Sequence, residues 1–230
     1  MTYIRKGEHI PRADVLHFFC QSFFAFVLYS NGYNVILRQI HDFGACLLSY
    51  KTGGGRECIF LSRDAKLDGS KAVRGGIPLV FPQFGQQDKS MPQHGFLRTN
   101  FWKADESSAY DNEESAGITF TLDLKDVKDS RGGQWCENTE YDCSCSYHVK
   151  ITGKTISSRI EIKNTGDKKF PFQTLLHTYY LVDGKAALDG SNCYVKGLEG
   201  MSHCVCYSKR LLHAVSELFF LYSIIIGLRF

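Results

Sequence analysis

The residues of this 230-residue chain best placed to do chemistry are two histidines, two arginines and a glutamine. His94 stands in the loop-like run Pro92-Gln-His-Gly-Phe, and His177 stands between Leu176 and Thr178 in an otherwise apolar run. Imidazole titrates near neutral pH, so each can act as an acid or as a hydrogen-bond donor. Arg74 and Arg98 add fixed positive charge on a planar fork that suits phosphate or carboxylate. Gln83 offers a carboxamide that can hold a substrate hydroxyl or tie its own loop together. Each has a plainer reading. A histidine on an apolar strand is often a hydrogen-bonded core residue, and an arginine is often half of a structural salt bridge. Taken together, the five suit a site for a polar, anionic small molecule.

The elements that must aim these groups are unusual. The stretch from Arg74 to Arg98 holds three of the five prolines, Pro78, Pro82 and Pro92, and four glycines. Proline removes a backbone donor and fixes φ, while glycine admits positive φ. Such a segment predicts an irregular wall whose side chains are aimed by loops. The histidine run, Phe170-Pro-Phe-Gln-Thr-Leu-Leu-His-Thr-Tyr-Tyr-Leu-Val, predicts a strand with a functional face. Further strands are expected at Tyr33–Ile40, Ala45–Tyr50, Glu57–Leu61, Gly117–Leu124, Tyr147–Thr152 and Thr155–Asn164. A hairpin is expected around Lys51-Thr-Gly-Gly-Gly-Arg and another around Gly153-Lys154. Asp68 is expected to make a turn. Ala104–Ser115 and Lys125–Glu140 read as solvated, polar surface. Many short strands with glycine-rich turns and scarce helical periodicity point to an all-β sandwich or barrel.

Composition narrows the function. Apolar residues make up 43% and charged residues 22%, ordinary for a globular domain. A net charge of +3 with scattered basic residues argues against nucleic acid. Nine cysteines fit neither a zinc motif nor a small disulfide scaffold, so reduced thiols in a cytoplasmic protein are expected. A metal site from Cys143, Cys145 and His148 is the alternative. Two apolar runs, Val15–Tyr29 and Leu218–Leu228, are short for a membrane span, and membrane insertion is not expected. No G-x-S-x-G elbow, P-loop or G-x-G-x-x-G turn occurs.

Three runs carry a resemblance. Ser70-Lys-Ala-Val-Arg-Gly-Gly-Ile-Pro-Leu-Val-Phe-Pro-Gln-Phe-Gly, Pro92-Gln-His-Gly-Phe-Leu-Arg and Phe172-Gln-Thr-Leu-Leu-His-Thr-Tyr-Tyr resemble the glucose-6-phosphate 1-epimerases of the aldose 1-epimerase superfamily. Val195-Lys-Gly-Leu-Glu-Gly is similar to the segment that follows the histidine strand there. The resemblance implies a galactose mutarotase-like antiparallel β-supersandwich. It implies interconversion of the α and β anomers of a hexose 6-phosphate, without metal or other cofactor. It makes His177 the acid at the ring oxygen and gives His94 a polarising and positioning role. Arg74 and Arg98 would recognise the sugar phosphate, and Gln83 would lie where substrate hydroxyls are held.

The chain departs from the family pattern at both ends. The expected division is a divergent segment 1–30, a mutarotase-like sandwich 31–200, and a divergent tail 201–230, the sandwich being incomplete at the C-terminus. The family's general base, a glutamate on a late strand, has no match, and Glu217 stands in an unrelated context. Two further readings therefore stay open: a carbohydrate-phosphate binding module without turnover, and a nonfunctional truncated product. A monomer acting on a small-molecule substrate is expected.

Overall fold

The computed structural model describes residues 25–28, 38–112, 114–127 and 141–182. It is built almost wholly of antiparallel β-structure. Strands β1 (Ala25–Leu28), β2 (Arg38–His41) and β3 (Cys46–Tyr50) form one sheet in the order β1-β2-β3. The short strand β4 (Leu79–Val80) pairs with β9 (Leu175–Leu176). Four longer strands form a meander: β5 (Lys103–Asp111), β6 (Ser115–Asp123), β7 (Cys143–Thr152) and β8 (Ile156–Asn164). Among the described residues the helical elements are two 3₁₀ turns, Leu97–Thr99 and Leu124–Val127. None of the described helices is long and apolar enough to cross a membrane.

Alternation explains the meander. On β7, Cys143, Cys145, Tyr147, Val149 and Ile151 point inward and are buried, while the residues between them face outward. The pattern has the period of two that a half-buried sheet requires. Cys143 and Cys145 therefore lie in the core with free thiols. His148 projects from the other face, 3.0 Å from the Thr119 hydroxyl and 3.4 Å from the Glu161 carboxylate. The cysteine–cysteine–histidine metal cluster is ruled out by this strand parity. The core joins the sheets through Ile40, Leu47, Leu79, Phe81, Phe120 and Tyr147, each of them fully buried.

The β7–β8 hairpin turns at Gly153–Lys154 as its sequence predicts, with Ile151 opposite Ile156. The turn after β3 is likewise a hairpin, and Glu57 organises it. Its Oε1 accepts from the Tyr50 N–H at 2.8 Å and from the Ile59 N–H at 2.9 Å. Beyond this turn, Glu57–Leu61 makes isolated bridges rather than a regular strand, pairing Ile59 with Tyr180 and Leu61 with Gly75. Asp68 makes its turn by accepting from the Ser70 N–H at 2.9 Å.

One sequence expectation fails. Ala104–Ser115 is not a solvated loop, for most of it is β5, paired to β6 from Lys103↔Thr121 to Asp111↔Ala116. As the outermost strand of the meander it is largely exposed, so its polar residues meet little penalty and leave no apolar alternation to read. Of the apolar run Val15–Tyr29, Ala25–Leu28 is a strand paired to β2. The rest of that run, Leu218–Leu228, Val195–Gly200, Glu217, most of Lys125–Glu140 and the tail 201–230 lie outside the described residues.

Candidate active site

The proline- and glycine-rich wall becomes the middle of a three-stranded patch. On one side it runs antiparallel to the histidine segment. His177 N–H donates to Pro78 O at 2.9 Å, Tyr179 N–H to Gly76 O at 3.0 Å, and Gln173 N–H to Pro82 O at 2.8 Å. On its other side, Phe96 N–H donates to Phe81 O at 3.0 Å, and Gly95 bridges Phe81. This ladder brings the His94 loop and the His177 segment to one place, although the two histidines lie 83 positions apart in the chain. The glycines make the close approach possible. Gly75 and Gly76 have φ of 116° and 73°, and a Cβ on either would lie 2.5 Å from a backbone oxygen, of Phe60 and Leu47 respectively. No side chain fits there.

His94 is buried and sits in the left-handed region at φ 66°. Its Nδ1 accepts the Gly85 N–H at 3.0 Å, and its own N–H donates to Gly85 O at 2.6 Å. A backbone N–H can only donate, so Nδ1 is the unprotonated nitrogen and the neutral ring carries its proton on Nε2. Burial, then the positive charges of Arg98, His177 and Arg74, push its pKa down to about 4. His94 is thus a neutral donor near pH 7, with Phe84 against its ring at 5.0 Å between centroids.

His177 meets His94 edge-on, with ring centroids 5.4 Å apart and planes at 75°. Burial, and then Arg98, hold its pKa below the ordinary histidine value. Arg98 is half-buried. Its Nη2 donates to Gln93 O at 2.6 Å, while Nε is buried with no hydrogen-bond partner among the described residues. Burial lowers its pKa to about 10; Tyr179 opposes that effect and Arg74 adds to it. Arg74 is exposed, and its carbonyl accepts the Ser62 N–H at 3.0 Å. Two guanidinium groups and two imidazoles thus share one site, and the charges that depress His94 are all cationic. An arrangement of that kind is poised for an anion.

Gln83 takes the second of its two expected roles. It is buried, its amide nitrogen donates to Asp88 O at 3.0 Å and Pro92 O at 3.3 Å, and its amide oxygen accepts the Asp88 N–H at 2.8 Å. Both ends of the carboxamide hold the loop that presents His94. Tyr179 is the residue that sequence reasoning overlooked. It stacks on His177 with centroids 5.0 Å apart and planes at 19°. The one signal in the sequence was its position two residues after His177.

The class of this antiparallel β-protein follows from its likeness to known proteins. The aldose 1-epimerase family description matches residues 28–209. The chain belongs to the aldose 1-epimerase family. A protein of Cenchrus ciliaris named "Putative glucose-6-phosphate 1-epimerase" is 32% identical over 167 residues, which is 72% of this chain and 48% of that protein. One of the same name from Escherichia coli is 29% identical over 140 residues, 60% of this chain and 43% of that protein. The chain spans about half the length of these curated relatives. A crystal structure titled as a "putative mutarotase (YeaD)" from Salmonella typhimurium aligns with a TM-score of 0.59 at 22% identity, over 75% of this chain and 56% of the other. The Slr1438 protein from Synechocystis gives 0.58 at 19%, over 78% and 59%. These two structures share the fold.

Proposed function

We propose that the chain is a hexose-6-phosphate mutarotase of the glucose 6-phosphate 1-epimerase type, an isomerase that needs no cofactor. The observation that carries this reading is the convergence of His94, His177, Arg74 and Arg98 on one wall, with Arg98 Nε buried and without a partner among the described residues. Arg74 and Arg98 bind the phosphate of the closed-ring substrate. A base removes the proton from the C1 hydroxyl, the bond between C1 and the ring oxygen breaks, and the imidazolium of His177 protonates that oxygen. The aldehyde turns about the C1–C2 bond, and the reverse steps close the ring on the other face. His94, fixed as a neutral Nε2–H donor, polarises and positions the reacting end. Gln83 contributes by holding the His94 loop. The scheme calls for a carboxylate base, and none of the described carboxylates is given that role. A monomer in the cytoplasm is the setting proposed, in keeping with the free thiols at Cys46, Cys58, Cys143 and Cys145.

Polarimetry on freshly dissolved glucose 6-phosphate tests the reading. The chain is expected to accelerate the approach to anomeric equilibrium, and H177A to lose about 10²–10⁴-fold of that acceleration. Folded protein that adds nothing to the spontaneous rate would sink it. A second reading, a sugar-phosphate binding module, is favoured by one observation: the described charges that act on His94 and Arg98 include no carboxylate. Saturable binding without turnover would select it.

A further inference from the structure

The acid–base scheme gives Tyr179 no task, yet its ring lies flat against the histidine that scheme depends on. We propose that Tyr179 is a positioning residue for His177, its stacked ring fixing the imidazole in the orientation that presents its proton to the substrate. The geometry is specific. The His177 and Tyr179 rings lie at 19° with centroids 5.0 Å apart. Both backbones are anchored to the glycine–proline wall through the bonds to Pro78 O and Gly76 O, and Tyr179 O accepts the Phe60 N–H at 2.9 Å. These backbone bonds hold in place the two positions from which the stacked rings project. Tyr179 is half-buried, and burial raises its own pKa against the opposing charges of Arg74 and Arg98, so it stays a neutral ring at neutral pH.

A π face beside an imidazole also favours the protonated ring. At this site that effect acts against the burial and the Arg98 charge that disfavour imidazolium. The ring, not the hydroxyl, does both jobs. Phenylalanine should therefore replace tyrosine with little loss, whereas an aliphatic side chain of similar bulk should not.

The inference rests on the mutarotase reading for its kinetic arm, and a second arm is independent of turnover. Y179F and Y179L in the full chain are compared with wild type on glucose 6-phosphate, and the His177 imidazole is titrated by NMR in each. Y179F is expected to keep kcat, KM and the His177 titration near wild type. Y179L is expected to lower kcat roughly tenfold or more, the scale of a misplaced catalytic group, with KM little changed. Its His177 pKa should fall by about half a unit as the π contact is lost. Y179M replaces Y179L if the leucine variant does not fold. Unchanged kcat and titration in the aliphatic variant would overturn the proposal. A raised KM with intact kcat would make Tyr179 a binding residue instead, and a Y179F as impaired as Y179L would transfer the role to the hydroxyl. If wild type shows no mutarotation, the proposed function fails by itself, and the titration alone decides whether the ring governs His177.

Discussion

The two histidines differ in what they can do because their surroundings differ. His94 is held neutral by burial and three cationic neighbours, and the Gly85 N–H fixes which nitrogen is bare. His177 is likewise held below the ordinary histidine value, by burial first and then by the push of the Arg98 charge. A phosphate dianion placed between Arg74 and Arg98 would cancel that push. The His177 pKa should accordingly rise when glucose 6-phosphate or inorganic phosphate binds, so that the substrate helps to arm its own acid. NMR titration of the ring with and without phosphate measures this, and a pKa that stays put or falls contradicts it. R98A should raise KM for glucose 6-phosphate roughly tenfold or more, the worth of a charge-assisted hydrogen bond, and should leave KM for unphosphorylated glucose alone. Equal losses on both sugars would remove Arg98 from phosphate recognition.

At the scale of elements, the site is a wall threaded between two partners. Its close fit depends on glycine. G76A would set a Cβ 2.5 Å from Leu47 O at a φ of 73°, so it should destabilise the chain by about 1–3 kcal/mol or more, measured by urea unfolding. Unchanged stability would mean that the wall can move away from β3. Much of this was legible in the sequence. The glycines and prolines from Arg74 to Arg98 announced an irregular segment, and alternation announced β6, β7 and β8. The turn at Gly153–Lys154 announced the hairpin that joins the last two. Strand β5 was hidden because an edge strand can be polar on both faces. Gln83 was ambiguous, since a carboxamide that holds a hydroxyl and one that holds a loop have the same sequence. Its role became readable only when Asp88 and Pro92 were seen to surround it. Tyr179 escaped notice because its role depends on ring geometry that spacing alone does not give.

For the molecule as a whole, the depressed histidines set an acid limit. Once unfolded, His94 regains a pKa near 6.5, against about 4 when folded. Between those values the unfolded chain binds the proton that the folded chain refuses. The His94 contribution should therefore be level above about pH 6.5 and decline as pH falls toward 4, with His177 adding in the same direction and His41, whose pKa the fold raises, opposing it. Denaturant midpoints at a series of pH values check this; a chain as stable near pH 4.5 as near pH 7.5 would show that His94 is not held neutral by the fold. Function at this scale turns on whether the cationic wall works with a base elsewhere in the chain. Exchange spectroscopy on glucose 6-phosphate at anomeric equilibrium addresses that directly, because it observes α and β anomers interconverting with no net reaction. The chain is predicted to speed their exchange well above the spontaneous rate, and H177A to abolish the effect. Exchange at the spontaneous rate in the presence of folded, phosphate-binding chain would contradict the account.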